Sequence, residues 1–182
     1  MVNYASFKRF ITFAFMENKR TAVVCGSTQG IGKAIAFELA SQGFLVVLVG
    51  RNEQRLRETH AELEHKFGKQ PAFLMADFSQ PEQVKTVIQS WVSEGHVAHI
   101  LINNTGGPKS GPIVDADPSE FLTAFNQHLI GNHIMTQALI PGMKATGFGR
   151  VINIISTSVK QPLANLGVSN TIRGAVANWS KT

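Results

Sequence analysis

The chain has 182 residues, of which 43% are hydrophobic and 16% are charged, and its formal net charge is +5. These values predict one folded domain and exclude a disordered chain or a membrane-spanning one. The basic residues are scattered rather than interleaved with aromatics in a stripe, so we expect neither nucleic acid nor membrane as a partner. The single cysteine, Cys25, favours a reducing compartment, and we therefore expect a cytoplasmic protein.

The first segment, residues 1–18, differs in composition from the rest of the chain. Its apolar stretch Phe10–Met16 is too short to span a bilayer and is not followed by an Ala-x-Ala cleavage site. Three interpretations stay open. The segment is an extension whose true start is Met16, an ordered helix packed on the domain, or a targeting or membrane-surface segment.

From residue 19 to residue 182, short apolar runs alternate with helical patterns. The runs interpreted as strands are Thr21–Cys25, Phe44–Val49, Pro71–Ala76, Ala98–Ile102 and Arg150–Ile155. The helical stretches are Gly30–Ser41, Asn52–Phe67, Pro81–Ser93, Pro118–Thr146 and Gly167–Lys181. Apolar runs without polar alternation are typical of strands buried on both faces, and their alternation with helices indicates right-handed βαβ units. The sequence therefore predicts an α/β fold with a doubly wound parallel sheet and no second domain.

A glycine-rich turn follows the first strand and opens the first helix. Glycines there let backbone N–H groups approach a pyrophosphate, and the helix N-terminus adds partial positive charge. The spacing G-x-x-x-G-x-G departs from G-x-G-x-x-G, and a P-loop fits badly because Ala34 follows Lys33. A tight turn without a ligand is the alternative. The predicted cofactor-binding residues of the turn are Gly26, Ser27, Gln29, Gly30, Ile31 and Gly32.

The end of the second strand bears on the type of cofactor. NAD-binding sites usually place an acid there to hold the ribose hydroxyls, but this strand is followed by Arg51 and Asn52. Without an acid a 2′-phosphate is not repelled, and the forked donors of Arg51 can pair with it. We therefore expect NADP(H) to be favoured over NAD(H), the alternative being that Arg51 is an ordinary solvated residue.

Four motifs, in order along the chain, resemble those of the short-chain dehydrogenase/reductase family. The segment Cys25–Gly32 resembles the family's T-G-x-x-x-G-I-G, with Cys25 in place of the usual threonine. Asp77 is similar to the aspartate that contacts adenine, and Asn103–Gly106 resembles N-N-A-G. Gly149–Ser156 resembles the fifth strand with its terminal catalytic serine. The resemblance covers about residues 19–182.

This resemblance implies a Rossmann fold with about five of the family's usual seven strands. It implies hydride transfer between NADP(H) and a small-molecule carbonyl or alcohol substrate, with a 3-oxoacyl compound as one such substrate, and a homo-oligomer built on the long helices. The further cofactor contacts that it implies are Asp77, Phe78, Asn104, Thr105, Gly106 and Arg173.

The catalytic set of the family combines Ser, Tyr-x-x-x-Lys and a helix Asn, and this chain departs from it. Ser156 fits the serine, whereas Ser169 stands in place of the tyrosine, Arg173 in place of the lysine and His128 in place of the asparagine. The single tyrosine, Tyr4, lies far from this region in the sequence. A serine hydroxyl is a far weaker acid than a phenol, whose reference pKa is about 10, so Ser169 is a poor proton donor. Arg173 is expected to grip the ribose hydroxyls without exchanging protons.

Two residues are candidate replacements for the tyrosine as proton donor. Histidine has a reference pKa of about 6.5, which makes His128 a plausible acid near neutrality. Lys160 is a second candidate if burial makes its proton easier to lose. A buried structural histidine and an ordinary loop lysine are the alternatives, and the other histidines lack the companions that a metal site requires.

The departures from the catalytic set leave two alternatives to an active enzyme. The chain ends inside the helix that carries Arg173, before the last two strands expected of the family. It is then either a catalytically inactive NADP(H)-binding protein or a truncated fragment of a longer reductase.

Overall fold

The computed structural model describes residues 19–182, and the interpretations given for residues 1–18 lie outside the described residues. Five parallel strands form one sheet: Thr21–Cys25 (β1), Leu45–Gly50 (β2), Leu74–Met75 (β3), Ile100–Asn103 (β4) and Arg150–Asn153 (β5). The strand order is β3-β2-β1-β4-β5. The order reverses between β1 and β4, and open α/β sheets bind ligands at the carboxyl ends of the strands at this point.

Six α-helices connect or follow the strands in the described part of the chain. They are Gly30–Ser41 (α1), Glu53–Phe67 (α2), Pro81–Ser93 (α3), Pro118–Phe125 (α4), Gly131–Ala145 (α5) and Gly167–Lys181 (α6). None of the helices in residues 19–182 is long and apolar enough to cross a membrane.

The core has two layers, one on each face of the sheet. Val23 of β1 belongs to the cluster that includes Ile88 of α3 and Leu139 of α5. Its neighbour Val24 belongs to the opposite cluster, which includes Leu56 of α2. Because successive residues of a strand point to opposite faces, an uninterrupted apolar strand needs helices on both sides. The predicted doubly wound α/β fold is therefore confirmed.

The third strand is shorter than the predicted run from Pro71 to Ala76, because hydrogen bonds with side chains replace a strand ladder there. Gln70 Oε1 accepts the N–H of Val46 at 2.9 Å, where a neighbouring strand would otherwise accept it. The carbonyl of Pro71 is 2.8 Å from Nε2 of His60, and proline has no N–H to give to a ladder. Only Leu74 and Met75 pair with β2.

The long helix predicted from Pro118 to Thr146 is helical from Pro118 to Ala145, but it is not α-helical throughout. A π-helical turn, Asn126–Ile130, separates α4 from α5. The apolar spacing continues on both sides of this turn, so hydrophobic periodicity does not report it. Single π turns inside helices are frequent at functional sites, and this one carries His128.

Candidate functional site

The glycine turn between β1 and α1 has a shape that side chains would not allow. Gly26 and Gly30 have φ angles of 59° and 53°, in the left-handed region. A Cβ on Gly32 would lie 2.2 Å from the carbonyl oxygen of Gly26. Asn104 at the end of β4 donates from Nδ2 to the carbonyls of Cys25 and Gly26, each at 3.3 Å. The turn is therefore held in a fixed position beside the switch point of the sheet.

A cleft opens beside this turn at the carboxyl ends of the strands. Its lining comprises Gly26, Thr28, Gln29, Gly50, Arg51, Asn52, Arg55, Ala76, Asp77, Phe78, Thr105, Gly106, Gly107 and Gln127. Cβ atoms placed on Gly30, Gly106 and Gly107 would meet nothing within 4 Å. Bare backbone at the N-terminus of a helix is what close approach of a pyrophosphate requires, so the residues present fit a dinucleotide.

Eight of the predicted cofactor residues line the cleft, whereas Gly30, Ile31, Gly32 and Asn104 do not. The cleft-lining ones are Gly26, Gln29, Arg51, Asn52, Asp77, Phe78, Thr105 and Gly106. Ile31 is 61% exposed and Gly32 is buried, and neither belongs to the cleft lining. Asn104 stabilises the glycine turn through its two hydrogen bonds to the turn's carbonyl groups. Direct cofactor contacts by these last residues stay predictions.

Ser27 occupies a different place from the one its motif position indicates. It is fully buried, and its Oγ donates to the Val49 carbonyl at 3.3 Å and accepts the Val49 N–H at 3.1 Å. The next residue, Thr28, lines the cleft instead and was missed by sequence reasoning. Ser27 and Thr28 both belong to the turn that follows β1, and no local pattern in the sequence tells which of the two side chains faces the cleft.

Asp77 and Phe78 shape the far wall of the cleft. One carboxylate oxygen of Asp77 accepts both the N–H and the hydroxyl of Ser79, at 2.9 and 2.8 Å. Phe78 is only 7% exposed, and a Cβ on Gly131 would lie 2.6 Å from its ring. The Phe78 ring therefore packs against Gly131, the first residue of α5, and α5 is the second half of the long helix.

Two arginines lie at the second-strand side of the cleft. Arg51 is exposed directly after β2, as its predicted role requires. Arg55, on the first turn of α2, was missed by sequence reasoning, and its Nη1 donates to Gln29 Oε1 at 2.8 Å. The available signal is its place on the first turn of the helix that follows β2, because that end of the helix lies at the carboxyl edge of the sheet.

His128 lies on the π-helical turn, with 1% of its surface exposed. Its Nδ1 hydrogen-bonds with Oγ1 of Thr105, and its Nε2 has no partner among residues 19–182. Burial, with a smaller contribution from the positive charge of Arg173, lowers the pKa of His128 to about 4. The imidazole is therefore neutral at pH 7. This burial argues against the expectation that His128 serves as a protonated acid near neutrality, and its catalytic role stays a prediction.

Arg173 and Ser156 both have hydrogen-bond partners in the segment that follows β5. Arg173 donates from Nη1 to the carbonyl of Ile154 at 2.7 Å, and burial lowers its pKa. Ser156 Oγ accepts the N–H of Ser158 at 3.1 Å, which caps the short 3₁₀ helix Thr157–Val159. The Ser156 hydroxyl keeps its own proton to donate to a carbonyl oxygen.

The remaining candidate catalytic residues differ in their surroundings. Ser169 is half-buried on α6, one turn before Arg173, and its hydroxyl makes no hydrogen bond within the described range. Lys160 is exposed at the end of the 3₁₀ helix, so the burial on which its proposed role depended is absent. The structure therefore brings Thr105, His128 and Arg173 together and leaves Lys160 outside.

Comparison with known proteins places the chain in a family. The model of the short chain dehydrogenase family matches residues 20–182. The chain is 30% identical over 165 residues to NADPH-dependent reductase BacG of Bacillus subtilis, which covers 90% of this chain and 64% of that protein. It is 28% identical over 164 residues to inactive hydroxysteroid dehydrogenase-like protein 1 of Homo sapiens, covering 89% of this chain and 49% of that protein.

A solved structure agrees with these matches. The crystal structure of L-sorbose reductase from Gluconobacter frateurii, complexed with NADPH and L-sorbose, has a TM-score of 0.84 and 33% identity. The match covers 90% of this chain and 62% of that one. The chain thus spans between about half and two thirds of the length of these three proteins. The family match, the sheet order and the glycine turn together show that this chain belongs to the short-chain dehydrogenase family.

Proposed function

We propose that the chain binds NADP(H) in the cleft beside the glycine turn and serves an oxidoreductase that acts on a small-molecule carbonyl or alcohol. When bound, the cofactor supplies or accepts a hydride. The observation that carries this proposal is the cleft itself, whose lining combines the glycine turn before α1, the open glycines Gly106 and Gly107 after β4, and the two arginines Arg51 and Arg55.

The charges at the cleft support NADP(H) over NAD(H). Arg51 and Arg55 both line it, and Asp77 is the single carboxylate among its described lining residues. Asp77 follows β3, so no acid stands directly after β2, where an acid would hold the free ribose hydroxyls. The similar L-sorbose reductase was solved with NADPH, and BacG is an NADPH-dependent reductase.

At the other end of the site, three side chains of this chain are proposed to handle the substrate and the ribose. Ser156 donates its hydroxyl proton to the substrate carbonyl and so orients and polarises it. Arg173 uses one N–H on the Ile154 carbonyl and keeps further donors for ribose hydroxyls. Ser169 adds a neutral hydrogen bond to the substrate. A 3-oxoacyl compound is one member of the substrate class to be tested.

A second candidate function is NADP(H) binding without turnover. It is favoured because, in the described part of the site, none of the candidate proton donors has both a pKa near 7 and a buried position. The pKa of His128 is lowered to about 4 and Lys160 is exposed. One relative, 28% identical, is itself named an inactive hydroxysteroid dehydrogenase-like protein. The third interpretation, a fragment of a longer reductase, stays a prediction that the coding sequence downstream of Thr182 tests.

The experiment that tests binding is calorimetric titration of the purified chain with NADPH. Gly106→Leu is expected to abolish binding, because the new side chain fills the cleft without meeting protein atoms. Gly174→Leu, at another glycine with open space around it, is the matched control and should bind as the parent does. Absence of binding by the parent chain would reject both candidate functions.

The experiment that separates the two candidates is NADPH oxidation with a panel of ketoses, diketones and 3-oxoacyl thioesters. Oxidation that requires a carbonyl compound supports the oxidoreductase. Tight NADPH binding with no oxidation over the whole panel supports the binding protein.

A cytoplasmic location and a homo-oligomer are parts of the same proposal. The single cysteine, Cys25, is buried and burial raises the pKa of its thiol to about 12, so it is an unreactive packing residue. Leu122 and Phe125 of α4 are 68% and 39% exposed, an apolar surface that a second subunit could cover. Light scattering of the purified chain measures the subunit number.

A further inference from the structure

Arg55 joins two helix ends across the rim of the cofactor cleft. Its backbone N–H donates to Oδ1 of Asn52, the cap of α2, at 2.9 Å. Its side chain reaches the other way, and Nη1 donates to Oε1 of Gln29 at 2.8 Å. Gln29 is the residue directly before α1 and makes no capping hydrogen bond with its side chain. One side-chain hydrogen bond therefore links the N-terminal ends of α1 and α2 at the cleft.

The charge of Arg55 is not neutralised by a carboxylate within residues 19–182, whereas two nearby cations, Arg57 and Lys33, are paired. Arg57, on the same helix, forms an ion pair with Glu53. Lys33 of α1 forms an ion pair with Glu62 at 2.9 Å. Arg55 has only the neutral amide oxygen of Gln29 as a side-chain partner.

The acid best placed to pair with Arg55 along the helix is engaged elsewhere. Glu58 lies three residues after Arg55, but its Oε1 accepts Nε2 of Gln54 at 2.9 Å. Arg51, at the same rim, has no ion pair within the described range either. Two uncompensated arginines at one rim form a site for an anion of high charge.

We propose that Arg55 is a second ligand of the 2′-phosphate of NADP(H). In the absence of the cofactor, the hydrogen bond to Gln29 keeps the Arg55 side chain at the rim. A phosphate monoester carries nearly two negative charges at pH 7 and accepts stronger hydrogen bonds than a neutral amide. The guanidinium therefore exchanges Gln29 for a phosphate oxygen, which opens the link between α1 and α2. This inference rests on the proposed NADP(H) binding in the same cleft.

The assignment predicts a loss of selectivity rather than a general loss of binding. Arg55→Gln removes the charge while keeping a polar side chain of similar length. It should weaken NADPH binding by roughly ten-fold, the size of one charge-assisted hydrogen bond, and leave NADH binding within about two-fold. The matched control is Arg57→Gln, which removes a paired arginine from the same helix and should change neither affinity.

A change at Gln29 tests the exchange itself. Gln29→Glu turns the neutral partner of Arg55 into a carboxylate at 2.8 Å, which retains the guanidinium and repels a phosphate. NADPH affinity should then fall by at least as much as in Arg55→Gln, and by a larger factor than NADH affinity falls. In the double variant the two losses should be less than additive, because both act on the same phosphate contact.

The measurement is the dissociation constant of NADPH and NADH, with adenosine 2′,5′-bisphosphate and adenosine 5′-monophosphate as probes lacking the nicotinamide. Thermal unfolding of each variant checks that the chain is folded. If the parent chain binds no nucleotide, the proposed function fails and this inference falls with it. If the parent binds NADPH but Arg55→Gln weakens both coenzymes equally or neither, only the assignment of Arg55 is overturned.

Discussion

Thr105, two residues past β4, hydrogen-bonds with the buried imidazole of His128 on the π-helical turn of the long helix. This contact joins a residue that lines the cofactor cleft to a residue in the place of the family's catalytic asparagine. Because the imidazole is buried and close to Arg173, its neutral form is the stable one. The first consequence concerns stability as a function of pH.

Acidification should destabilise the fold through His128. The unfolded histidine has a pKa near 6.5 and the folded one about 4, so the unfolded state binds more protons between these values. The contribution of His128 to the free energy of unfolding, roughly 3 kcal/mol, is fully present above pH 6.5 and is lost as the pH falls towards 4. Urea unfolding at pH 7.5 and pH 5 measures this loss.

His128→Gln is the control for that measurement, because glutamine keeps an amide for Thr105 and does not titrate. Its stability should change less with pH than that of the parent chain. His99, whose pKa is also lowered by burial and by Arg20, contributes equally to both proteins and cancels in the comparison. Equal pH dependence in the two proteins would contradict the assignment to His128.

A tyrosine placed at position 169 should raise turnover. The site holds a hydroxyl too weakly acidic to donate a proton, and a phenol is a much stronger acid. We expect Ser169→Tyr to increase the rate of NADPH oxidation with an accepted ketone by about 100-fold, the lower range for acid catalysis. Ser169→Phe controls for the added bulk. A rate no higher in Ser169→Tyr than in Ser169→Phe would argue against position 169 as the donor position.

Ser27→Ala should lower the stability of the fold and leave NADPH binding almost unchanged. The buried hydroxyl bonds with both the N–H and the carbonyl of Val49, and alanine would leave these groups without that partner. We expect the free energy of unfolding to fall by about 1–3 kcal/mol. The dissociation constant of NADPH should change by less than about three-fold, because Thr28 is the residue that lines the cleft. A selective loss of NADPH binding in a stable variant would restore Ser27 as a direct ligand.

Two glycine substitutions should have opposite effects. In Gly32→Ala the new Cβ would lie 2.2 Å from the carbonyl oxygen of Gly26, so the turn must move and NADPH binding should be lost. Gly174 lies inside α6 with nothing near its Cβ position, and Gly174→Ala should stabilise the chain by about 0.5–1 kcal/mol. Thermal unfolding and NADPH titration of both variants check the pair. Unchanged binding in Gly32→Ala would show that the turn does not hold the cofactor.

The sequence by itself determined the fold class and the family. The apolar run Thr21–Cys25 and the helix Gly30–Ser41 have the predicted bounds, because buried strands and helices leave local patterns of apolar residues. The glycines also predicted the turn, because Gly26 and Gly30 have left-handed φ angles that other residues rarely adopt.

Only the tertiary structure decided which side chains face the cleft and in what state. That Ser27 bonds with β2 while Thr28 and Arg55 line the cleft depends on how distant segments pack. The sequence alone predicts for His128 the pKa of a free side chain, whereas burial and Arg173 lower it to about 4. A residue type carries its own chemistry, but desolvation and neighbouring charge are set by residues far away in the chain, so the protonation state is a property of the fold.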